Sequence, residues 1–241
     1  MYYNMYAMDT KEFKKLTDAE IKEKIEAHKK WLENPQEGVK ADFSCVDAAG
    51  ENFSELDLRG ANFNGAKLNG ANFNGAKLNE ADFSNTNLYG ADFVKAKLND
   101  ANFNGSELRC SDFSRANLSH ATMTRCLLSC ANFINTNLHC VNFFDSLLDK
   151  ADFKNANLNF SNLSLSHQIY RANFDDDAIL RMFYHTLMIV AKSKNVSPEL
   201  KKFLLTEENT KKANEYSEVK EGWDGKIYSD GTVGSSYEFN Y

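Results

Sequence analysis

The chain has 241 residues with 28 basic and 34 acidic side chains, a net charge of −6 that argues against a nucleic-acid or anionic-membrane surface as its main partner. It has no apolar run of the roughly 18 residues that a membrane helix needs, no visible secretory signal in "MYYNMYAMDTKEF", and an odd number of cysteines, five, unlike a secreted disulfide framework. We therefore expect a cytoplasmic protein with reduced thiols, and neither a direct nucleic-acid nor a membrane partner.

The first predicted element is a helix over about residues 17–34, within an N-terminal segment of residues 1–40. Thr17 followed by Glu20 matches a capping box, and Asn34-Pro35 ends the helix. Its apolar stripe is expected to cover the end of the next region. The stripe residues assigned to this end cap are Ile21, Ile25 and Leu32, and His28 lies on the same stripe.

From residue 41 the sequence repeats every five residues. Twenty-five units have their centres between Phe43 and Leu163, and every centre except Ala48 is Phe, Leu or Met. The residue two before the centre is small in nearly all units, and the residue just before it is usually Asn or Asp. A period of five fits neither a helix nor a strand, so it predicts a closed coil with every fifth side chain pointing inward.

Phe and Leu alternate as centres. If four units make one turn, each coil has 20 residues and four sides. Phe then lines two opposite sides and Leu the other two, with successive coils about 4.8 Å apart. The Asn and Gly residues fall at outward and corner positions. The predicted repeat core includes Phe63, Leu68, Phe73, Leu78, Phe83, Leu88, Phe93, Leu98, Phe103, Leu108, Phe113 and Leu118.

The tandem pattern A-[DN]-[LF]-x-x from Ala41 to about Leu165 resembles the pentapeptide-repeat family. The resemblance implies an all-β solenoid, a right-handed quadrilateral β-helix of about six coils. The preceding stretch "IEAHKKWLENPQEGVKADFS" also resembles the lead-in helix of prophage-type bacterial members of the family. The fold prediction is therefore a β-helix over residues 41–175 with an N-terminal capping helix.

After Ser164 the register fails, and Ala172-Asn173-Phe174 restores the repeat shifted by one residue. Residues 176–241 are predicted to form C-terminal α-helices and a tail. The first helix is too apolar for an isolated surface helix, so it is expected to cap the rod or to form a homodimer. Its end-cap residues are Ile179, Phe183 and Leu187.

A search for reactive groups finds no catalytic motif. One corner column reads Glu80, Asp100, His120 and Cys140, which we interpret as a solvated corner rather than a metal site. Cys110 and Cys130 stack in another column and are expected to be free thiols. Cys126 is assigned to the core. His139 beside Cys140, together with His120, suggests a catalytic pair, but no Ser or carboxylate partner lies at a known catalytic spacing. We predict no catalytic residue, no cofactor and no metal.

Apolar residues at outward positions interrupt the pattern in the later coils. Leu127 and Leu147 stack 20 residues apart, and Phe144 lies across the same corner from Leu147. Two interpretations stay open: the C-terminal helices fold back over these residues, or a protein partner binds them. The full candidate set is Leu127, Ile134, Phe144, Leu147 and Phe160.

Three functions compete at this stage. The preferred one is a non-enzymatic protein-interaction module of unknown partner, as solenoids commonly are. The family resemblance implies an alternative, a DNA-mimicking inhibitor or protector of DNA gyrase, although Asn132 interrupts the acidic column of Asp92, Asp112 and Asp152. The third, an enzyme in residues 176–241 around His185, is disfavoured because so short a segment folds only marginally.

Overall fold

The computed structural model describes residues 13–163, 166, 167 and 169–174. The regular elements are strand β1 (Lys14–Lys15), helix α1 (Asp18–Glu33), strand β2 (Val46–Asp47) and a short 3-10 helix, Ile169–Arg171. The rest of the described chain is a succession of turns joined by single-residue parallel bridges. The period of five therefore produces turns and bridges rather than long strands.

The bridges form four columns, which define four sides of a coil. Side 1 runs from Asp42 to Asn162, side 2 from Asp47 to His167, side 3 from Asn52 to Asn173 and side 4 from Asp57 to Asn157. Each bridge joins residues 20 apart, except that Asp152 pairs with Asn173. One coil thus takes four five-residue sides, as the resemblance to the pentapeptide-repeat family implies.

The corners between sides are tight turns. In a representative corner the Ala61 N–H donates to the Leu58 carbonyl at 3.0 Å, and Gly60, the third residue of the turn, has φ of +71°. A positive φ at this position is the signature of a type II turn. Every fifth residue from Cys45 to Phe160 shares it, and only seven of them are glycine.

The polar residue before each centre supports the next turn. The Asn62 Oδ1 accepts the Asn64 backbone N–H at 3.0 Å, and the Asp92 Oδ1 accepts the Val94 N–H at 2.8 Å. A short side chain with an acceptor oxygen favours this Asx contact, although the Glu107 Oε1 also accepts the Arg109 N–H at 3.0 Å. This preference explains why Asn and Asp dominate that position.

The predicted repeat-core residues are all completely buried. Phe rings on one side stack on the rings 20 residues away, as Phe63 on Phe83 at 4.7 Å between centroids and 2° between planes. Rings on opposite sides meet edge to face, as Phe63 and Phe73 at 5.5 Å and 86°. Both geometries are favourable for aromatic pairs. The stack on side 3 runs to Phe174, whereas Met123 interrupts the stack on side 1.

Small polar residues replace alanine in one inner column without leaving buried polar atoms unpaired. The Ser106 Oγ donates to the Phe83 carbonyl and the Ser146 Oγ to the Met123 carbonyl, both at 2.6 Å. Cys126, between them in the same column, donates its thiol to the Phe103 carbonyl at 3.0 Å. Buried polar groups need such partners, so this column accepts Ser, Thr or Cys.

Helix α1 covers the N-terminal end of the rod. The predicted capping box is confirmed: the Thr17 side chain accepts the Glu20 N–H, and the Glu20 carboxylate accepts the Thr17 N–H. Ile21 is buried, while Ile25 and Leu32 are half-buried. Strand β1 also pairs in parallel with β2 and so covers the exposed strand edge of side 2 in the first coil.

His28 joins α1 to the first coil. Its Nδ1 accepts the Ala41 backbone N–H at 3.0 Å, and its ring stacks on Trp31 at 5.3 Å. The imidazole is fully buried, and its Nε2 has no hydrogen-bond partner among the described residues. The interpretation of His28 as a packing residue at the rod end agrees with this environment.

At the other end, the predicted one-residue register shift is confirmed. His167 bridges Leu147 at the normal spacing, then the 3-10 helix intervenes and Phe174 stacks on Phe153 at 4.9 Å. The end-cap residues Ile179, Phe183 and Leu187 lie outside the described residues, as do the predicted C-terminal helices. Within the described part of the chain, α1 is too short and polar to cross a membrane.

Candidate functional site

The five outward apolar residues do not form one patch. Leu127 and Leu147 are bridged neighbours on side 2, and Phe144 lies on the corner between sides 1 and 2. Ile134 lies on the diagonally opposite corner, between sides 3 and 4, and Phe160 on the corner between sides 4 and 1. All five are half-buried. The structure therefore groups three of the five predicted residues.

Charged residues flank this group. The Asp145 carboxylate lies 3.0 Å from the His167 Nε2 and 3.7 Å from the Arg125 Nε. We call the six residues Arg125, Leu127, Phe144, Asp145, Leu147 and His167 the Leu127 surface. The Arg125–Asp145 ion pair is solvent-exposed and contributes little to folding stability.

The apolar part of this surface ends at Glu107, the neighbour of Leu127 one coil earlier on side 2. Glu107 bridges Leu127 and is almost fully buried, and its carboxylate makes two 2.7 Å bonds with the Arg109 guanidinium. This paired geometry is the strong form of the Arg–carboxylate contact. The side chains on side 2 therefore change from paired charge at Glu107 to apolar at Leu127.

The cysteines differ sharply in environment, and Cys110, Cys126, Cys130 and Cys140 are free thiols. Cys126 is buried, and desolvation raises its pKa to about 12. Cys110 and Cys130 are exposed on the corner between sides 2 and 3. Desolvation also raises the pKa of the half-buried Cys140. A catalytic cysteine needs a lowered pKa, and the raised pKa values of Cys126 and Cys140 run in the opposite direction.

The corner between sides 4 and 1 gathers His120, His139 and Cys140, which the sequence suggests together as a possible catalytic pair but not as a metal site. His120 and Cys140 share the corner column predicted from the sequence, but His139 belongs to the neighbouring column. One ligand atom from each of the three lies within 4.8 Å of the other two. Comparing only residues 20 apart misses such a cluster, whereas a search at spacings of 19 and 20 finds it.

Side 3 of the rod carries a column of mostly acidic side chains. This column contains Asp92, Asp112, Asn132 and Asp152, in which successive residues are bridged. Lys77 and Lys97 are bridged neighbours on side 4, and Lys67 lies on side 2. The acidic column is thus confined to one side, with an amide within it and lysines on both adjacent sides.

The family model for pentapeptide repeats matches residues 39–75, 66–105 and 106–143. Residues 39–143 belong to the pentapeptide-repeat family. Pentapeptide-repeat proteins fold as right-handed quadrilateral β-helices. The bridged columns and buried centres described above are the form that this architecture takes here.

No curated protein matches the chain, but several solved structures match its fold. QnrB1, a plasmid-mediated fluoroquinolone resistance protein, is 24% identical over 56% of this chain and 77% of its own, with a TM-score of 0.41. A pentapeptide repeat protein from the thylakoid lumen of Arabidopsis thaliana is 31% identical over 46% of this chain and 66% of its own, with a TM-score of 0.25. HetL, involved in heterocyst differentiation regulation in Nostoc sp. strain PCC 7120, is 17% identical over 66% of this chain and 94% of its own, with a TM-score of 0.20. None of these likenesses indicates a function for this chain.

Proposed function

We propose that the chain is a non-enzymatic solenoid that binds another protein through the Leu127 surface. The observation that supports this proposal is the change of side-chain character along side 2. Its outward column reads Asp47, Lys67, Asn87 and Glu107 in the earlier coils, then Leu127 and Leu147. Solenoids use such regular lateral surfaces to bind partners.

The apolar residues have the character of an interface centre. Leu127 and Leu147 are bridged neighbours, and Phe144 adds an aromatic ring across the corner. The core does not need these side chains, because the inward positions of the same coils are already filled by Leu128, Phe143 and Leu148. Outward apolar side chains grouped on a polar surface are typical of protein-binding sites.

The charged residues supply a polar rim. Arg125 and His167 bracket the Asp145 carboxylate beside Phe144. Protein interfaces commonly place such groups around an apolar centre, where they set orientation and specificity more than affinity. A partner that fits this surface has an apolar ridge flanked by polar or charged groups.

The test compares a variant of this surface with a matched control on the same side. The test variant is Leu127→Asn with Leu147→Asn, and the control is Lys67→Asn with Asn87→Ser in the earlier coils. Binding partners are captured with the full chain, and the affinity of each purified candidate is then measured for all three proteins. We expect the test variant to lose roughly tenfold or more in affinity and the control to bind normally.

Two outcomes would contradict the proposal. One is a partner that binds the test variant as tightly as the unchanged chain. The other is light scattering that shows a homodimer which the test variant disrupts, since the surface would then bind a second copy of the chain. Dimerisation through the C-terminal helices stays a separate prediction, and a dimer that the test variant preserves would be consistent with it.

The gyrase alternative has one observation in its favour, the bridged pair Asp92 and Asp112 with Asp152 further along side 3. A supercoiling assay with purified gyrase tests it directly. Inhibition or protection at micromolar protein that Asp92→Asn with Asp112→Asn abolishes would support this alternative. No effect at that concentration would exclude it as the function.

A further inference from the structure

Two imidazoles and one thiol share the corner between sides 4 and 1. His120 and Cys140 occupy equivalent corner positions one coil apart, with φ of +63° and +58°. His139 immediately precedes Cys140, and the His120 N–H donates to the His139 carbonyl at 2.9 Å. The repeat backbone itself therefore holds the three residues together, whatever their side chains do.

The side chains converge as well. The three ligand atoms lie within 4.8 Å of one another, and the two imidazoles meet edge to face at 5.6 Å and 85°. A tetrahedral zinc ion, with Zn–N of about 2.0–2.1 Å and Zn–S of about 2.3 Å, holds its donors roughly 3.4–3.6 Å apart. Movements of about 1 Å close that difference, and the exposed His120 side chain is able to make them.

We propose that His120, His139 and Cys140 bind a late transition-metal ion, with Zn²⁺ as the first choice. Imidazole and thiolate donors suit Zn²⁺, copper and nickel, whereas Mg²⁺ and Ca²⁺ prefer oxygen ligands. Three protein donors leave the fourth tetrahedral position to water or to a group from a bound molecule.

The surroundings support a cation at this corner. Asp100 and Glu80 continue the column below His120, and the Asp100 N–H donates to the Ser119 carbonyl at 3.0 Å. Phe160, one coil above Cys140, packs edge-on against the His139 ring at 5.3 Å and limits its rotation. Each histidine has two ring nitrogens, so one can bind the ion while the other makes a hydrogen bond.

The proposal is tested on the metal-free, reduced full chain with Co²⁺ as a spectroscopic probe and Zn²⁺ as its competitor. We expect one equivalent of Co²⁺ to produce a thiolate-to-cobalt charge-transfer band in the near ultraviolet, and Zn²⁺ to remove it. Cys140→Ser should abolish this band. His120→Asn should weaken Zn²⁺ binding by more than the roughly 10–100-fold that changes outside the ligand shell cost.

The controls separate this site from the exposed thiols. The double variant Cys110→Ser with Cys130→Ser should keep the band and the stoichiometry. Circular dichroism checks that Cys140→Ser and His120→Asn both fold. Asn tolerates a positive φ, so His120→Asn preserves the fold and still tests the site if Cys140→Ser does not fold. The proposal is overturned by the absence of stoichiometric Co²⁺ binding, or by a band that persists in Cys140→Ser and disappears in the double variant. Either result leaves the interaction proposal for the Leu127 surface unaffected.

Discussion

The interior of the rod and its N-terminal end bury the same kind of ring by different means. In the interior, Phe93 lies between Phe73 and Phe113, with centroid distances of 4.9 and 4.8 Å. Edge contacts with Phe83 and Phe103 complete its surroundings. Every neighbour of this ring is therefore supplied by the repeat itself.

At the end, Phe43 has a stacked neighbour on one side only, Phe63 at 5.1 Å. A residue of α1 also contacts this ring: the Lys24 Nζ lies 6.0 Å from its centroid. Phe43 is nevertheless fully buried. Repetition thus stabilises the interior many times over, whereas the end depends on a few contacts that each occur once.

The largest expected effect tests the interior against the end directly. Phe93→Ala removes a ring from four aromatic contacts and leaves a cavity between rigid neighbours, so it should cost about 3–5 kcal/mol of unfolding free energy. Phe43→Ala should cost less, because it loses two aromatic partners and α1 is free to settle into the space. Urea unfolding of both variants measures the difference. A larger loss for Phe43→Ala would show that the end, rather than the interior, limits stability.

A second, smaller effect is expected where α1 meets the chain that leaves it. A Cβ built on Gly38 would overlap the Trp31 backbone and lie 2.6 Å from the Ala27 carbonyl oxygen. Gly38→Ala should therefore displace α1 and cost about 1–3 kcal/mol, as overpacking does. We expect a red shift of the Trp31 fluorescence emission, because the indole becomes more exposed, and a lower midpoint of unfolding.

Gly70→Asn is the matched interior control. Gly70 has φ of +68°, and a Cβ there meets nothing within 4 Å. Asn already occupies the equivalent positive-φ corner at Asn85 and Asn135, so the change should be nearly neutral. If Gly70→Asn destabilises the chain as much as Gly38→Ala, crowding at the helix is not the cause.

Most of the interior was predictable, because its features repeat. Twenty-four fitting centres out of twenty-five define the period without knowledge of any contact. The shift at Ala172-Asn173-Phe174 was also readable, since a three-residue match is enough once the pattern is known. The Thr17–Glu20 capping box was readable for a related reason, as it is a local interaction with a fixed spacing.

The single-copy contacts were not predictable in the same way. Strand β1 has two residues, and its pairing with β2 depends on where α1 returns the chain, which no local pattern encodes. Ile134 and Phe160 lie on other corners than the Leu127 surface. A comparison of residue types alone groups them with Leu127, because all three are apolar. His139 joins His120 and Cys140 because adjacent columns meet at a corner.

The smallest expected effect is a pH dependence confined to the N-terminal end. Burial lowers the pKa of His28 from its ordinary value of 6.5, Lys40 and Arg59 lower it further, and Asp57 opposes them. His28 has a pKa of 6.5 in the unfolded chain and a lower pKa in the folded chain. At a pH between these two values, the unfolded chain binds more protons at this site than the folded chain does. The stability contributed by neutral His28 is therefore complete above pH 6.5 and falls as the pH drops below it.

The hydrogen bond that would break can be followed directly. Because the His28 Nδ1 accepts the Ala41 N–H, protonation places a second donor against the first. Hydrogen exchange of the Ala41 amide should accelerate in acid relative to that of Phe93, whose N–H donates to the Asp112 carbonyl in the interior. His28→Gln retains a side-chain acceptor without titrating, so its Ala41-to-Phe93 ratio should not change with pH. A constant ratio in the unchanged chain as well, from about pH 8 to about pH 5, would show that His28 does not couple the end to pH.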